Sequence, residues 1–126
     1  MASDGITVQA SYPTSRKWAR YRVDIPVCLV TQKTPRIATC EGRGSELNGG
    51  GLTVDAAMDL ALDEQVAVEF TPPCSGEPVI FRCFVRNRNG NRYGLEFITE
   101  NDSDYIKTGE LQEGLAQLGE FSAPKL

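Results

Sequence analysis

Six short runs in this chain alternate apolar and polar side chains with a period of two. In the first, Val23, Ile25, Val27 and Leu29 fall on one side, and Arg22, Asp24, Pro26 and Cys28 on the other. Shorter runs follow at Ile37–Thr39, Leu52–Ala56, Val66–Phe70, Val79–Val85 and Tyr93–Phe97. A period of two sends successive side chains to opposite faces of a pleated strand, so each run reads as a strand with one face on a core. Six such strands at short spacing, joined by turns, fold as an antiparallel barrel or sandwich. Closure into a barrel also hides the strand edges that invite aggregation.

The punctuation between the runs refines this outline. Pro26 cannot donate to a ladder, which predicts a free edge or a bulge in the first strand. Lys33-Thr34-Pro35 is a turn, and EGRGSELNGGG is too rich in glycine for an uninterrupted strand. Met58 to Leu62 leaves one helical turn and a loop equally open. In the fifth run Ile80 and Phe84 alternate with Arg82 and Arg86, which predicts a strand covered on both faces. Asn89-Gly90 supports positive φ and closes a tight hairpin into the sixth. After Glu100 the period changes: Asn101, Asp102 or Ser103 caps a helix whose Leu111, Leu115 and Leu118 repeat at i, i+4 and i+7. Gly109 and Gly114 each cost such a helix about 1 kcal/mol relative to alanine, so it needs the barrel or a partner to pack on. The expected organisation is a flexible arm over 1–14, one domain over 15–120 including the helix, and a tail over 121–126.

With 126 residues the chain builds one core without metals or disulfides. Its 40% apolar and 24% charged residues fit a soluble globular domain rather than a disordered one. No stretch approaches the roughly 20 apolar residues of a membrane span, and the amino terminus lacks the basic start and apolar run of a secretory signal. Cytoplasm is the expected compartment, with no membrane partner. Cys28, Cys40, Cys74 and Cys83 form no C-x-x-C pair, so reduced thiols are expected rather than a zinc site. The chain contains no histidine, which removes Ser-His, Cys-His and His-metal chemistry together. A binder is expected, without catalysis, metal or cofactor.

Charge narrows what is bound. Arg16, Lys17, Arg20 and Arg22 place four positive charges within seven residues, and setting them aside from the net −4 leaves −8 on the remainder. General nucleic-acid binding requires a broad basic face, so it is not expected; a small anion held at one place suits the cluster.

Two segments are candidates for that place. Arg16-Lys17-Trp18-Ala19-Arg20 precedes the first strand, and guanidinium groups fork onto phosphate oxygens or onto O6 and N7 of guanine. Arg-x-x-x-Arg recurs at Arg82/Arg86 and Arg88/Arg92, where arginine is ordinarily a solvated side chain. Trp18 suits stacking on a base or anchoring the arm against the barrel. The second segment is Glu46-Leu47-Asn48-Gly49-Gly50-Gly51-Leu52. Its glycines permit positive φ, close approach of a ligand and exposed amide donors; a plain turn or bulge into the next strand is the structural alternative. Glu46 can accept from the N1–H and N2–H₂ edge of guanine, and the Asn48 amide can donate or accept.

Taken together, RKWARYRVDIPV, then ELNGGGLTVD, then RYGLEF resemble the PilZ domain family, whose pattern is R-x-x-x-R on an amino-terminal loop followed by [DN]-x-S-x-x-G leading into a strand. The resemblance covers about residues 15–118. It implies an all-β fold, a six-stranded antiparallel β-barrel with a C-terminal α-helix. It also implies a non-catalytic receptor that binds cyclic di-GMP on the barrel's outer face and relays the signal to a partner protein. Carried over by position, Arg16 and Arg20 grip phosphate and guanine, while Glu46, Asn48 and Gly51 line the other guanine edge. Glu46 stands where the family has Asp or Asn, and Asn48 where it has Ser. Those departures keep a second expectation open: a degenerate PilZ domain that acts as an interaction adaptor without nucleotide binding.

Overall fold

The computed structural model describes residues 6–7, 19–31 and 37–122. A two-residue strand, β1 (Ile6–Thr7), pairs with the start of β2 (Arg20–Thr31). It thus lies within the segment expected as an arm. The remaining strands are β3 (Ala38–Asn48), β4 (Gly51–Ala56), β5 (Gln65–Phe70), β6 (Val79–Asn89) and β7 (Arg92–Phe97). All pairings are antiparallel in the order β1-β2-β3-β4-β7-β6-β5, and β2 pairs again with β5. That last pairing closes β2–β7 into a six-stranded barrel, settling the choice between barrel and sandwich.

The inward positions are those that the alternation selected, except near β3, where Ile37 is 69% exposed and Thr39 is also exposed, while Leu47 supplies the buried side chain. Leu29, Val54, Val68, Cys83, Val85 and Tyr93 have no solvent exposure. Phe70, Phe81 and Phe97 cluster with near-parallel rings, their centroids 4.1 to 6.4 Å apart. Burial of such rings supplies the largest single apolar contributions to a core of this size. Tyr93 adds a polar tie: its hydroxyl donates to the Met58 carbonyl and accepts from the Leu60 amide at 3.1 Å. The segment after β4 is therefore a loop pinned by Tyr93, with no helical turn.

Three bulges bend the barrel. Between Arg22 and Ile25 the register advances three residues on β2 against two on β3. Pro26 follows that bulge, and the β5 pairing of β2 starts only at Val27. A second bulge lies between Gly44 and Glu46 on β3, and a third between Val85 and Asn87 on β6. Each extra residue bends its strand and re-aims the side chains beside it.

The structure corrects two sequence readings here. The glycine-rich stretch is interrupted, as expected, at the Gly49-Gly50 turn, but β3 before it is one continuous 11-residue strand through Gly42 and Gly44. Gly42 and Gly44 are accommodated because the neighbouring strand and the core leave no room for more: a Cβ on Gly42 would lie 2.4 Å from the Asp55 carbonyl oxygen, and one on Gly44 would press on Leu52 and Ile25. The β6 strand is covered on its inner face only, for Ile80 is 56% exposed and Phe84 is half-buried beneath the Arg86 guanidinium, 4.7 Å from the ring centroid. The β6–β7 hairpin forms as expected, with Asn89 opposite Arg92 and Gly90 at φ 66°. Its central pair is thus Gly90-Asn91, one residue later than the Asn89-Gly90 pair predicted, and a single positive φ at the first central residue is the type II′ pattern.

The helix α1 (Asp102–Ser122) crosses one end of the barrel. Asn101 caps it, its Oδ1 accepting from the Asp104 amide at 2.9 Å. Thr108, Leu111 and Leu115 are buried, whereas Leu118, expected in the same stripe, is 37% exposed. Gly114 lies so close to Cys74 that a Cβ would come 2.8 Å from its sulfur, and Gln112 reaches the β3–β4 turn. The helix thereby bridges the β5–β6 and β3–β4 connections. Among the described residues no helix is long and apolar enough to cross a membrane.

Candidate functional site

Outward-facing residues at the upper ends of four strands make the floor of an open cleft of about 800 Å³. One row across the floor runs Glu46, Thr53, Gly94, Asn87 through successive strand pairings. The next runs Asn48, Gly51, Glu96. Small residues in the middle of both rows keep that floor low. At Gly51 a Cβ would lie 2.2 Å from the Leu95 carbonyl oxygen, so only glycine fits there. At Gly94 it would strike the Asn87 side chain at 2.6 Å.

Arg20, on β2, forms one wall. Its Nη1 donates to Glu46 Oε1 at 3.1 Å, tying together two of the residues singled out from the sequence. Arg86 also lines the cleft, with its guanidinium held by Glu96 at 2.5 Å and by Asp63 at 2.9 Å. The hydrogen bonds that Arg86 donates to both carboxylates, that to Glu96 most of all, raise its already high pKa, so its charge is permanent. The first turns of α1 bring Tyr105 and Thr108 to the cleft.

The glycine turn serves differently from the sequence expectation. None of Gly49, Gly50 and Gly51 has a positive φ; among the described glycines only Gly76 and Gly90 do. Nor are their amides open to a ligand. The Gly50 and Gly51 N–H groups donate to Asn48 Oδ1 at 2.7 and 2.9 Å, and the Gly49 N–H donates to Gln112 Oε1 at 2.8 Å. Asn48 folds over its own turn as Asx residues commonly do, its carbonyl oxygen accepting from two amides, and the residue lines the cleft. The turn therefore offers close approach rather than an amide cradle.

The profile of the PilZ domain matches residues 14–114, most of the chain. The chain belongs to the PilZ domain family. The crystal structure of the PilZ domain of CeSA, from a cellulose-synthesizing bacterium, is similar in fold with a TM-score of 0.62, covering 77% of this chain and 97% of that one at 20% identity. No curated protein matches the sequence.

Of the five residues expected at the nucleotide site of this PilZ domain, Arg20, Glu46, Asn48 and Gly51 all line the one cleft. Arg16 lies outside the described residues, as do Trp18 and the turn at 33–35. The two other Arg-x-x-x-Arg pairs are accounted for by carboxylates. Arg82 pairs with Glu100 and Asp104, Arg88 with Asp59, and Arg92 with Asp55. Such exposed pairs contribute little stability each, but they answer the hairpin's charge locally and leave no broad basic face there. All four cysteines are free thiols. Thr53, Glu96, Arg86 and Tyr105 were missed in the sequence. The first two sit at outward positions of strands already recognised, and Tyr105 shares a helix face with Thr108 and Gln112 at i, i+3 and i+7. Strand register alone assigns them to one surface.

Proposed function

We propose that this PilZ domain is a non-catalytic receptor for cyclic di-GMP that relays binding to a partner protein. Domains of this family are generally receptors for that nucleotide. The observation that carries the reading is the convergence of Arg20, Glu46, Asn48 and Gly51 on one low-floored cleft outside the barrel. Clefts of this volume accommodate small molecules.

Each residue has a distinct task. The Arg20 guanidinium forks onto a phosphate or onto guanine O6 and N7. A carboxylate has about four lone-pair positions, so Glu46 can keep Arg20 and still accept from guanine N1–H and N2–H₂. The Asn48 amide donates, and Gly51 lets the base lie against the strand. Arg16 supplies the second guanidinium of the R-x-x-x-R pair. The test is calorimetric titration with cyclic di-GMP, with cyclic di-AMP and GTP as controls. Saturable binding of cyclic di-GMP alone, lost in Arg16→Ala and in Arg20→Ala, is the expected result. Reduced hydrogen exchange over residues 10–22 on saturation would accompany it.

One observation favours a second reading, an adaptor without nucleotide binding. Arg20 is engaged by Glu46, and the Asn48 oxygen by its own turn. In that case the native protein gives no heat with cyclic di-GMP, and Glu46→Asp combined with Asn48→Ser creates binding.

A further inference from the structure

The cleft extends well past the residues that the family pattern assigns. Arg20 and Glu46 occupy its β2–β3 end, Arg86 and Asn87 of β6 line the other, and Tyr105 of α1 also borders it. In the sheet order β2 and β7 are three strand spacings apart, about 14 Å at the usual inter-strand distance. One guanine held between Arg20 and Glu46 covers only the near end.

Tyr105 has the properties of a contact residue rather than of a packing residue. It is 61% exposed, although the chain buries its other cleft-lining aromatic, Phe97, to 4%. Among the described residues it is therefore the one exposed aromatic side chain bordering the cleft. Its backbone is also firmly held. The Tyr105 amide donates to the Asn101 carbonyl at 3.1 Å, and its own carbonyl accepts from Thr108 Oγ1 at 3.1 Å. The turn around it is tied to β6 twice, by the Asp104–Arg82 ion pair and by Lys107 Nζ donating to the Ile80 carbonyl at 2.7 Å. An aromatic ring on a fixed turn, bordering a polar cleft, offers a π-face to any base without selecting among them.

Resting on the receptor reading above, we infer that Tyr105 is the stacking platform for the second base of the bound cyclic dinucleotide. Arg20 and Glu46 read one guanine by its edge, and Tyr105 holds the other by its face.

The test is calorimetric titration of cyclic di-GMP into the wild type, Tyr105→Leu, Tyr105→Ala and Tyr105→Phe, with melting temperatures measured for each. Loss of one base–aromatic stack corresponds to about tenfold weaker binding. The expected result is that loss in Tyr105→Leu and Tyr105→Ala, near-native affinity in Tyr105→Phe, and no change in melting temperature. Native affinity in Tyr105→Leu, or an equal loss in Tyr105→Phe, overturns the inference while leaving the receptor reading intact. A wild type that does not bind overturns both.

Discussion

Arg20 Nη1 and Glu46 Oε1 meet at 3.1 Å across the β2–β3 pair, with 31% and 34% of their side chains exposed. A half-exposed pair of this kind contributes at most about 1 kcal/mol to stability. Its importance lies in position: it holds the guanidinium over the cleft floor while the rest of the carboxylate still faces the cleft. Arg20→Ala is therefore expected to lower unfolding free energy by no more than about 1 kcal/mol, yet to weaken cyclic di-GMP binding by well over tenfold. Glu46→Gln keeps one acceptor oxygen and should fall between wild type and Arg20→Ala. Urea unfolding and calorimetry on the same preparations check the two effects separately.

Gly51→Ala is expected to damage fold and site together. The added methyl would lie 2.2 Å from the Leu95 carbonyl oxygen, so β4 and β7 must move apart at the Gly51–Glu96 position. Overpacking of this kind costs about 1–3 kcal/mol. Lower stability accompanied by loss of binding is the outcome to look for in thermal melts with and without ligand.

Tyr93→Phe tests the pin on the loop after β4. Removing the hydroxyl strands the Leu60 amide and the Met58 carbonyl beside a fully buried ring. Leaving such groups unsatisfied costs about 1–3 kcal/mol. Denaturant midpoints report the loss, and affinity for the nucleotide should be unchanged because neither Met58 nor Leu60 lines the cleft.

Burial holds the Cys83 thiol far above its ordinary pKa of 9.0, and the nearby Lys107 charge opposes this only weakly. The folded chain thus keeps a proton that the unfolded chain releases near pH 9. That stabilisation is fully present below pH 9 and declines above it by about 1.4 kcal/mol per pH unit. Relative to wild type, Cys83→Ala should show a shallower alkaline loss of stability. In native protein Cys83 should also be the thiol slowest to react with an alkylating reagent.

The legibility of the site differed residue by residue. Arg20 stood out through the basic cluster at 16–22 and Glu46 through its acceptor carboxylate before the glycine run, and the PilZ pattern joined the two. Gly51 stood out as a glycine, but for the wrong physical reason: positive φ was anticipated, and the close passage of Leu95 is what excludes a side chain. The amides of the glycine turn looked available because the residue that takes Gly49's, Gln112, lies 63 positions away on another element. Likewise the arginines of the β6–β7 hairpin looked solvated until Asp55, Asp59 and Asp63 were found beside them.

By itself, the sequence determined the six barrel strands in outline, the capped helix, most of the inward-facing core and the family, because each is written in local periodicity or in residues close along the chain. Closure of β2 on β5, the low floor spanning β3, β4, β7 and β6, and the arrival of Tyr105 and Gln112 at its rim were decided only in three dimensions. These depend on strand register and on the bulges that shift it. A one-residue slip would turn Glu46, Thr53 and Gly94 inward, and no local pattern records which partner a strand takes.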